Sequence, residues 1–153
     1  MQILIGSNYK DTIIPLLDHA RTGIDIAMYH WGFYSVVSKS EVQKINYAIK
    51  SAIHRGVPVR CLLHCGSPSD GLFRKNSDTA NRLRSWGANV KFYKRSLTMH
   101  AKFVLIDRNF AIIGSHNYSR QSMKSNIEVS VMVDGSGNIR PLQEYFNLLW
   151  RQT

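Results

Sequence analysis

With 153 residues, 44% of them apolar, the chain can bury one core but is short for two, so residues 1–153 are expected to form a single domain. Its 20 Lys and Arg against 10 Asp and Glu give a formal charge of +10, which suits a polyanionic partner, nucleic acid or an anionic membrane surface. Two cysteines exclude a disulfide framework, and the lack of any run of about 18 apolar residues excludes a membrane-spanning helix.

The charge is unevenly placed. Residues 1–50 carry five basic and four acidic side chains, residues 51–100 nine and two, and residues 101–153 six and four. A plain solvated surface is one reading of the excess. The stretch "FRKNSDTANRLRSWGANVKFYKR" argues against it, because seven basic residues there face Asp78 alone and repel one another unless an anion lies against them.

Along the chain, Gln2–Ile5 reads as a short strand. The segment "KDTIIPLLDHARTG" then places Ile13, Leu16, Leu17 and Ala20 at helical spacing, with Gly23 as a stop. Ile24–Tyr29 alternates like a strand and "HWGFYSVVSKS" reads as a loop, with Tyr29, Trp31, Phe33 and Tyr34 either packing inward or lining a cleft for unpaired bases. Ser40 and Gln43 fit a capping box, followed by a helical apolar stripe through Val42, Ile45, Ala48, Ile49, Ala52 and Ile53 that ends at Gly56. Val57–Leu63 reads as a strand, Gly66–Lys75 as a mobile rim with Leu72 and Phe73 exposed, Thr79–Trp86 as a basic helix and Ala88–Tyr93 as a strand. Ala101–Ile106 and Phe110–Gly114 form an antiparallel hairpin about "DRN". A strand over Ile127–Val133 and a helix over Leu142–Trp150 complete the chain. The βαβ rhythm predicts an α/β fold: a mixed, mostly parallel sheet flanked by helices on both faces.

In "RCLLHC", Cys61 and Cys65 share a strand face too far apart to bridge without a bend. Buried thiols are the default reading, and a zinc site using both with His64 and a distant histidine is the alternative. The short apolar start "MQILI" does not make a signal peptide, so the chain is expected in the cytoplasm.

"TMHAKFVLIDRNFAIIGSHNYS" places His100 and Lys102 two apart, hence on one face of a strand, where two basic groups repel unless a phosphate sits between them. The hairpin would return Gly114, Ser115 and Asn117 beside them, with the glycine permitting close approach of backbone to ligand and the two side chains supplying neutral donors. The spacing His100-x-Lys102-x4-Asp107-x6-Gly114-Ser115-x-Asn117 matches the H-x-K-x4-D-x6-G-S-x-N signature at every defined position, and on it the chain resembles the phospholipase D superfamily. "LLDHARTGIDIAMYHWG", "AIHRGVPVRCLL" and "LRSWGANVKFY" look like the segments that precede the signature there. Glu128 matches an acidic residue that follows it in the compact bacterial endonuclease branch and supports the histidine.

The resemblance implies a phospholipase D-like fold and a phosphodiesterase that needs two motifs at one site. This chain carries one, since none of its other histidines has a lysine two residues on, so the branch it resembles implies a homodimer. His100 would attack phosphorus while its counterpart protonates the leaving oxygen. Lys102, Ser115 and Asn117 would hold the phosphate oxygens, Glu128 would orient a histidine, and Asp107 would shape the turn or act directly. No cofactor or metal is required in that scheme. The expected substrate is DNA or RNA. A phospholipid at a membrane surface comes second, and a non-catalytic nucleic-acid module of a defence system is a third possibility.

Overall fold

The computed structural model describes residues 1–34 and 40–153; the part of the aromatic loop over residues 35–39 lies outside the described residues. Seven strands, β1 (Gln2–Ile5), β2 (Ile24–Met28), β3 (Val59–His64), β4 (Asn89–Tyr93), β5 (Lys102–Ile106), β6 (Phe110–Gly114) and β7 (Val129–Asp134), form one sheet in the order β1-β7-β6-β5-β2-β3-β4. The helices are α1 (Asn8–His19), α2 (Glu41–His54), α3 (Gly71–Trp86), the short α4 (Arg120–Lys124) and α5 (Ser136–Arg151). None is long and apolar enough to cross a membrane.

The sheet is mixed and covered on both faces, as expected, but only two of its six pairings, β2–β3 and β3–β4, are parallel. The reason lies in the connections. Parallel neighbours need a crossover element, which α2 and α3 supply; no helix intervenes between β4 and β5, and β5 enters antiparallel beside β2. β1 pairs antiparallel with β7 at the far edge rather than joining the parallel set.

Strand alternation divides the interior into two layers. Ile24, Ile26, Met28, Cys61, Leu63, Val104 and Ile106 meet Ile13 and Leu17 of α1, Ile45 and Ile49 of α2, and Leu83 of α3. The intervening Ala27, Leu62, Phe103, Leu105 and Ala111 meet Ile139, Phe146 and Leu149 of α5. Each such aliphatic or aromatic side chain contributes about 1.5–3 kcal/mol by leaving water. Cys61 is part of this core, so the zinc reading finds no support: among the described residues no three His, Cys, Asp or Glu side chains are grouped to hold a metal ion.

Two helices exceed their expected spans. Asp70 caps α3 by accepting the Leu72 N–H at 2.9 Å, so Gly71–Lys75 is helical and Leu72 and Phe73 are half-buried, not exposed on a mobile rim. Gly137 and Pro141 read as breakers, yet both lie inside α5. Ser40 starts α2, but the capping box does not form: Gln43 N donates to the Ser40 carbonyl, and Gln43 Oε1 accepts from Tyr34 N and Asn46 Nδ2.

α5 is fastened to the sheet by Arg60. Its guanidinium makes two 2.7 Å bonds to Asp25 on the neighbouring strand, donates to Asn147 at 2.9 Å, and lies 5.0 and 5.5 Å from the ring centres of Phe146 and Trp150. Gln143 donates to the same Asp25 carboxylate at 2.7 Å. Removing one partner of a half-buried pair strands the other, so Arg60→Ala should lower the unfolding free energy by about 3 kcal/mol. A urea titration reads this directly; a loss within the range of an ordinary surface substitution would show that the packing of α5 does not depend on the pair.

Candidate active site

The strand directions bring one end of every strand to a common edge. The end of β2 (Met28), the end of β3 (His64), the end of β4 (Tyr93), the start of β5 (Lys102), the end of β6 (Gly114) and the start of β7 (Val129) all lie there. His100 precedes β5 on a coil segment anchored by the buried Met99, so its ring reaches Lys102 without sharing the strand.

Lys102 is only 8% exposed. Its ammonium donates to the His100 carbonyl oxygen at 2.6 Å and lies 3.2 Å from both ring nitrogens of the same residue. It also sits 4.9 Å from the Tyr29 ring centre, and the Tyr29 and His100 rings are 4.6 Å apart. An ammonium can only donate, and its shortest bond goes to the His100 carbonyl, which holds the cation against the ring of the same residue. Burial pushes the Lys102 pKa down, with the charge of Glu128 opposing the shift.

Glu128, 7% exposed, accepts hydrogen bonds from Ser115 Oγ, from Ser122 Oγ at 2.7 Å and from Asn126 Nδ2 at 3.1 Å. Burial works to raise its pKa, but the bonds from Ser115, Ser122 and Asn126, with His116 nearby, outweigh it and the net direction is down. Among the described residues its hydrogen-bond partners do not include His100. Within one chain, Glu128 orients Ser115 instead of a histidine. Ser115 in turn gives its hydroxyl proton to Glu128 and accepts from Val129 N at 3.1 Å. Asn117 accepts from His30 N at 3.2 Å through Oδ1, which leaves its amide N–H groups as the neutral donors of the site.

Gly114 is required for a reason other than ligand approach. A Cβ there would meet Ser130 Oγ at 2.2 Å and Val129 O at 2.5 Å, so the close passage of β7 demands glycine. Asp107 stands apart from the other candidates. It lies at the opposite end of β5, about 17 Å along the strand from Lys102, where its carboxylate accepts from the backbone N–H groups of Arg21, Thr22 and Gly23 at 2.7–3.1 Å and from the Thr22 hydroxyl at 3.0 Å. It thus belongs to the turn that it forms with Arg108, both at positive φ, and ties that turn to the α1–β2 connection.

Several residues that build this edge were not singled out as site residues from sequence. Asn76 on α3 accepts from Trp31 N and donates to the carbonyls of Tyr29 and His64, each at 2.9 Å, clamping the ends of β2 and β3. Asn46 accepts from the Trp31 indole at 2.8 Å, and Thr79 donates to the Trp31 carbonyl at 2.7 Å. Both asparagines are polar residues at buried helix positions, which was their signal. Of the aromatic loop, Trp31 is core, packed edge-on against Tyr118, while Tyr29 enters the site. His64 stacks on Tyr29 with ring centres 5.1 Å apart.

The sequence model of one family, described as Cardiolipin synthase, PLD-like domain, matches residues 13–150. Among curated proteins, the chain is 24% identical over 147 residues to the mitochondrial cardiolipin hydrolase of Homo sapiens, covering 96% of this chain and 53% of that protein. It is 31% identical over 97 residues to the one of Chlamydomonas reinhardtii, covering 63% and 41%. The chain thus spans about half the length of the curated relatives it matches. Among solved structures, it resembles Nuc, a phospholipase D family member from Salmonella typhimurium, with TM-score 0.82 and 18% identity over 99% of this chain and 95% of Nuc. NucT from Helicobacter pylori is similar at TM-score 0.77 and 19% identity over 98% and 94%. These likenesses confirm the expected fold.

Burial works to raise the Asp107 pKa, but its hydrogen bonds from Thr22, Arg21 and Gly23 outweigh it and hold the pKa below the usual carboxylate value. The folded value lies below the unfolded one, so its stabilisation is full above about pH 4 and is lost as pH falls through the folded value. Asp107→Ala should therefore cost about 1.5–3 kcal/mol at pH 7, and its urea unfolding curve should approach that of the unmodified chain in acid. A gap that stays constant with acidification would refute this assignment.

Proposed function

Because this chain belongs to the phospholipase D-like family, we propose that it is a phosphodiesterase that cleaves nucleic acid through a covalent phosphohistidine, its active site completed by a second copy of the chain. The observation that carries the reading is the buried Lys102 ammonium held 3.2 Å from the His100 ring at an open sheet edge. An imidazole that can act as nucleophile and a cation for the phosphate oxygens stand in contact.

In the proposed reaction, His100 of one copy attacks phosphorus, the P–O bond to the leaving group breaks, and His100 of the other copy gives that oxygen a proton. The second histidine, now unprotonated, takes a proton from water, whose oxygen displaces the first histidine from phosphorus. Lys102 and the amide of Asn117 from both copies stabilise the non-bridging oxygens as charge gathers on them. Ser115, whose hydroxyl donates to Glu128, holds that carboxylate at the rim of the site. The ammonium groups supply the positive charge that a metal ion would otherwise bring, so the scheme uses no cofactor.

The second copy has a surface to dock on. Ile3, Ile5, Ile113, Ile127 and Val129 are 62, 63, 40, 99 and 48% exposed. Register pairs Ile5 with Val129 and both Ile3 and Ile113 with Val131, on the sheet face that carries α5, beside Ser115. An exposed apolar patch of this kind next to an incomplete site favours self-association. The solved chains of Nuc and NucT are each covered almost end to end by this chain, so one copy of the fold is nearly the whole of either solved chain.

The basic middle third supports nucleic acid as substrate, since Lys75, Lys94 and Arg95 lie on α3 and just past β4, near the same edge. A lipid diester is the second reading, favoured by the names of the curated relatives.

Purified protein should cleave DNA or RNA in EDTA, with His100→Ala lowering kcat by at least about a thousandfold, as loss of a covalent nucleophile does. Headgroup release from phosphatidyl substrates with nucleic acids untouched would select the lipid reading, and tight binding without turnover the non-catalytic one. Sedimentation should give a dimer mass that Ile5→Asp reduces to a monomer with parallel loss of activity. A fully active monomer would overturn the shared site.

A further inference from the structure

A cleft of about 690 Å³ opens beside His100 at the ends of β3 and β4. Its walls include Tyr29, His64, Phe73 and Tyr93 together with Lys94 and Arg95. Tyr29 forms the boundary with the reaction centre, its ring 4.6 Å from that of His100 on one side and 5.1 Å from that of His64 on the other. The proposed chemistry uses none of the remaining five residues.

We propose that this cleft holds the nucleoside next to the scissile phosphodiester, with the following phosphate on Lys94 and Arg95. The inference rests on the nucleic-acid reading above and extends it to a subsite. Three observations support it. The volume falls within the range of roughly 300–1,000 Å³ that small-molecule sites occupy. The walls interleave flat rings with cations, the pairing by which proteins hold an unpaired base and its backbone. The two cations are available: among the described residues neither forms an ion pair, Arg95 donating only to the Gln152 carbonyl at 3.3 Å. Asp70, the carboxylate of the same cleft, is turned to the start of α3, where it caps Leu72 N at 2.9 Å.

The position of His64 fits this role. Its ring continues the stack begun by Tyr29, and its Nδ1 is buried without a hydrogen-bond partner among the described residues. Burial first, and then His100, press its pKa down against the pull of Asp70. A neutral ring stacked on Tyr29 extends the flat surface on which a base can lie.

The test compares dithymidine monophosphate with the same compound carrying a terminal phosphate at either end, all in EDTA. In the unmodified chain a terminal phosphate should raise kcat/KM about tenfold or more. The exposed pair Lys94→Gln/Arg95→Gln should bring that ratio close to unity, whereas Arg140→Gln/Arg151→Gln on α5 should leave it unchanged. Replacing the flanking thymine by hydrogen should lower kcat/KM in the unmodified chain and have little effect in Phe73→Ala. No gain from either terminal phosphate, or a gain that survives in Lys94→Gln/Arg95→Gln, overturns the subsite. If the dinucleotide is cleaved without the gain, only the subsite falls. If no nucleotide is cleaved while a phosphatidyl substrate is, the nucleic-acid reading falls and takes the subsite with it.

Discussion

The Lys102 ammonium is nearly buried, in contact with the ring of His100, and the nearby carboxylate of Glu128 is already claimed by three hydrogen bonds. A cation taken out of water needs a counter-charge, and the single chain supplies it incompletely. An anionic oxygen arriving at the open edge of the sheet would meet that need. The site is thus built around a standing electrostatic demand, and the surrounding structure keeps it from being met internally.

The geometry follows from how the loops at that edge are fastened. The segment after β2 and the segment after β6 are joined by the Gly32 N–H to the Tyr118 carbonyl at 2.7 Å, the Tyr118 N–H to the His30 carbonyl at 3.0 Å, and the packing of Trp31 on Tyr118. Behind them, Asn46, Asn76 and Thr79 satisfy main-chain and indole groups that would otherwise be buried without partners. This polar scaffold lets Tyr29, His100 and Asn117 stand on coil segments and still hold fixed positions.

Much of this was legible in the sequence, and the limits have physical causes. The strands and the hairpin could be read because period-2 alternation and a turn-prone triplet are local properties. The closeness of His100 and Lys102 could be read from their spacing. The pairing of β1 with β7 could not, because that contact joins residues over a hundred positions apart. Motif membership also misled about one role. Gly114 is glycine because β7 passes too closely for a side chain, whereas Asp107 serves the turn at the far end of the sheet in line with its turn-shaping reading. The first turns of α3 and α5 were hidden by Gly71, Gly137 and Pro141, residues whose local preference is overridden by the Asp70 cap and by burial of the opposite helix face.

The central claim is that two copies of His100 form one site. It is tested most directly by mixing unmodified protein with His100→Ala protein, allowing subunits to exchange, and measuring diesterase activity in EDTA against the unmodified fraction. A shared site predicts activity that falls as the square of that fraction, because every mixed pair lacks one histidine. Activity that falls in simple proportion would contradict it and place a complete site within each chain.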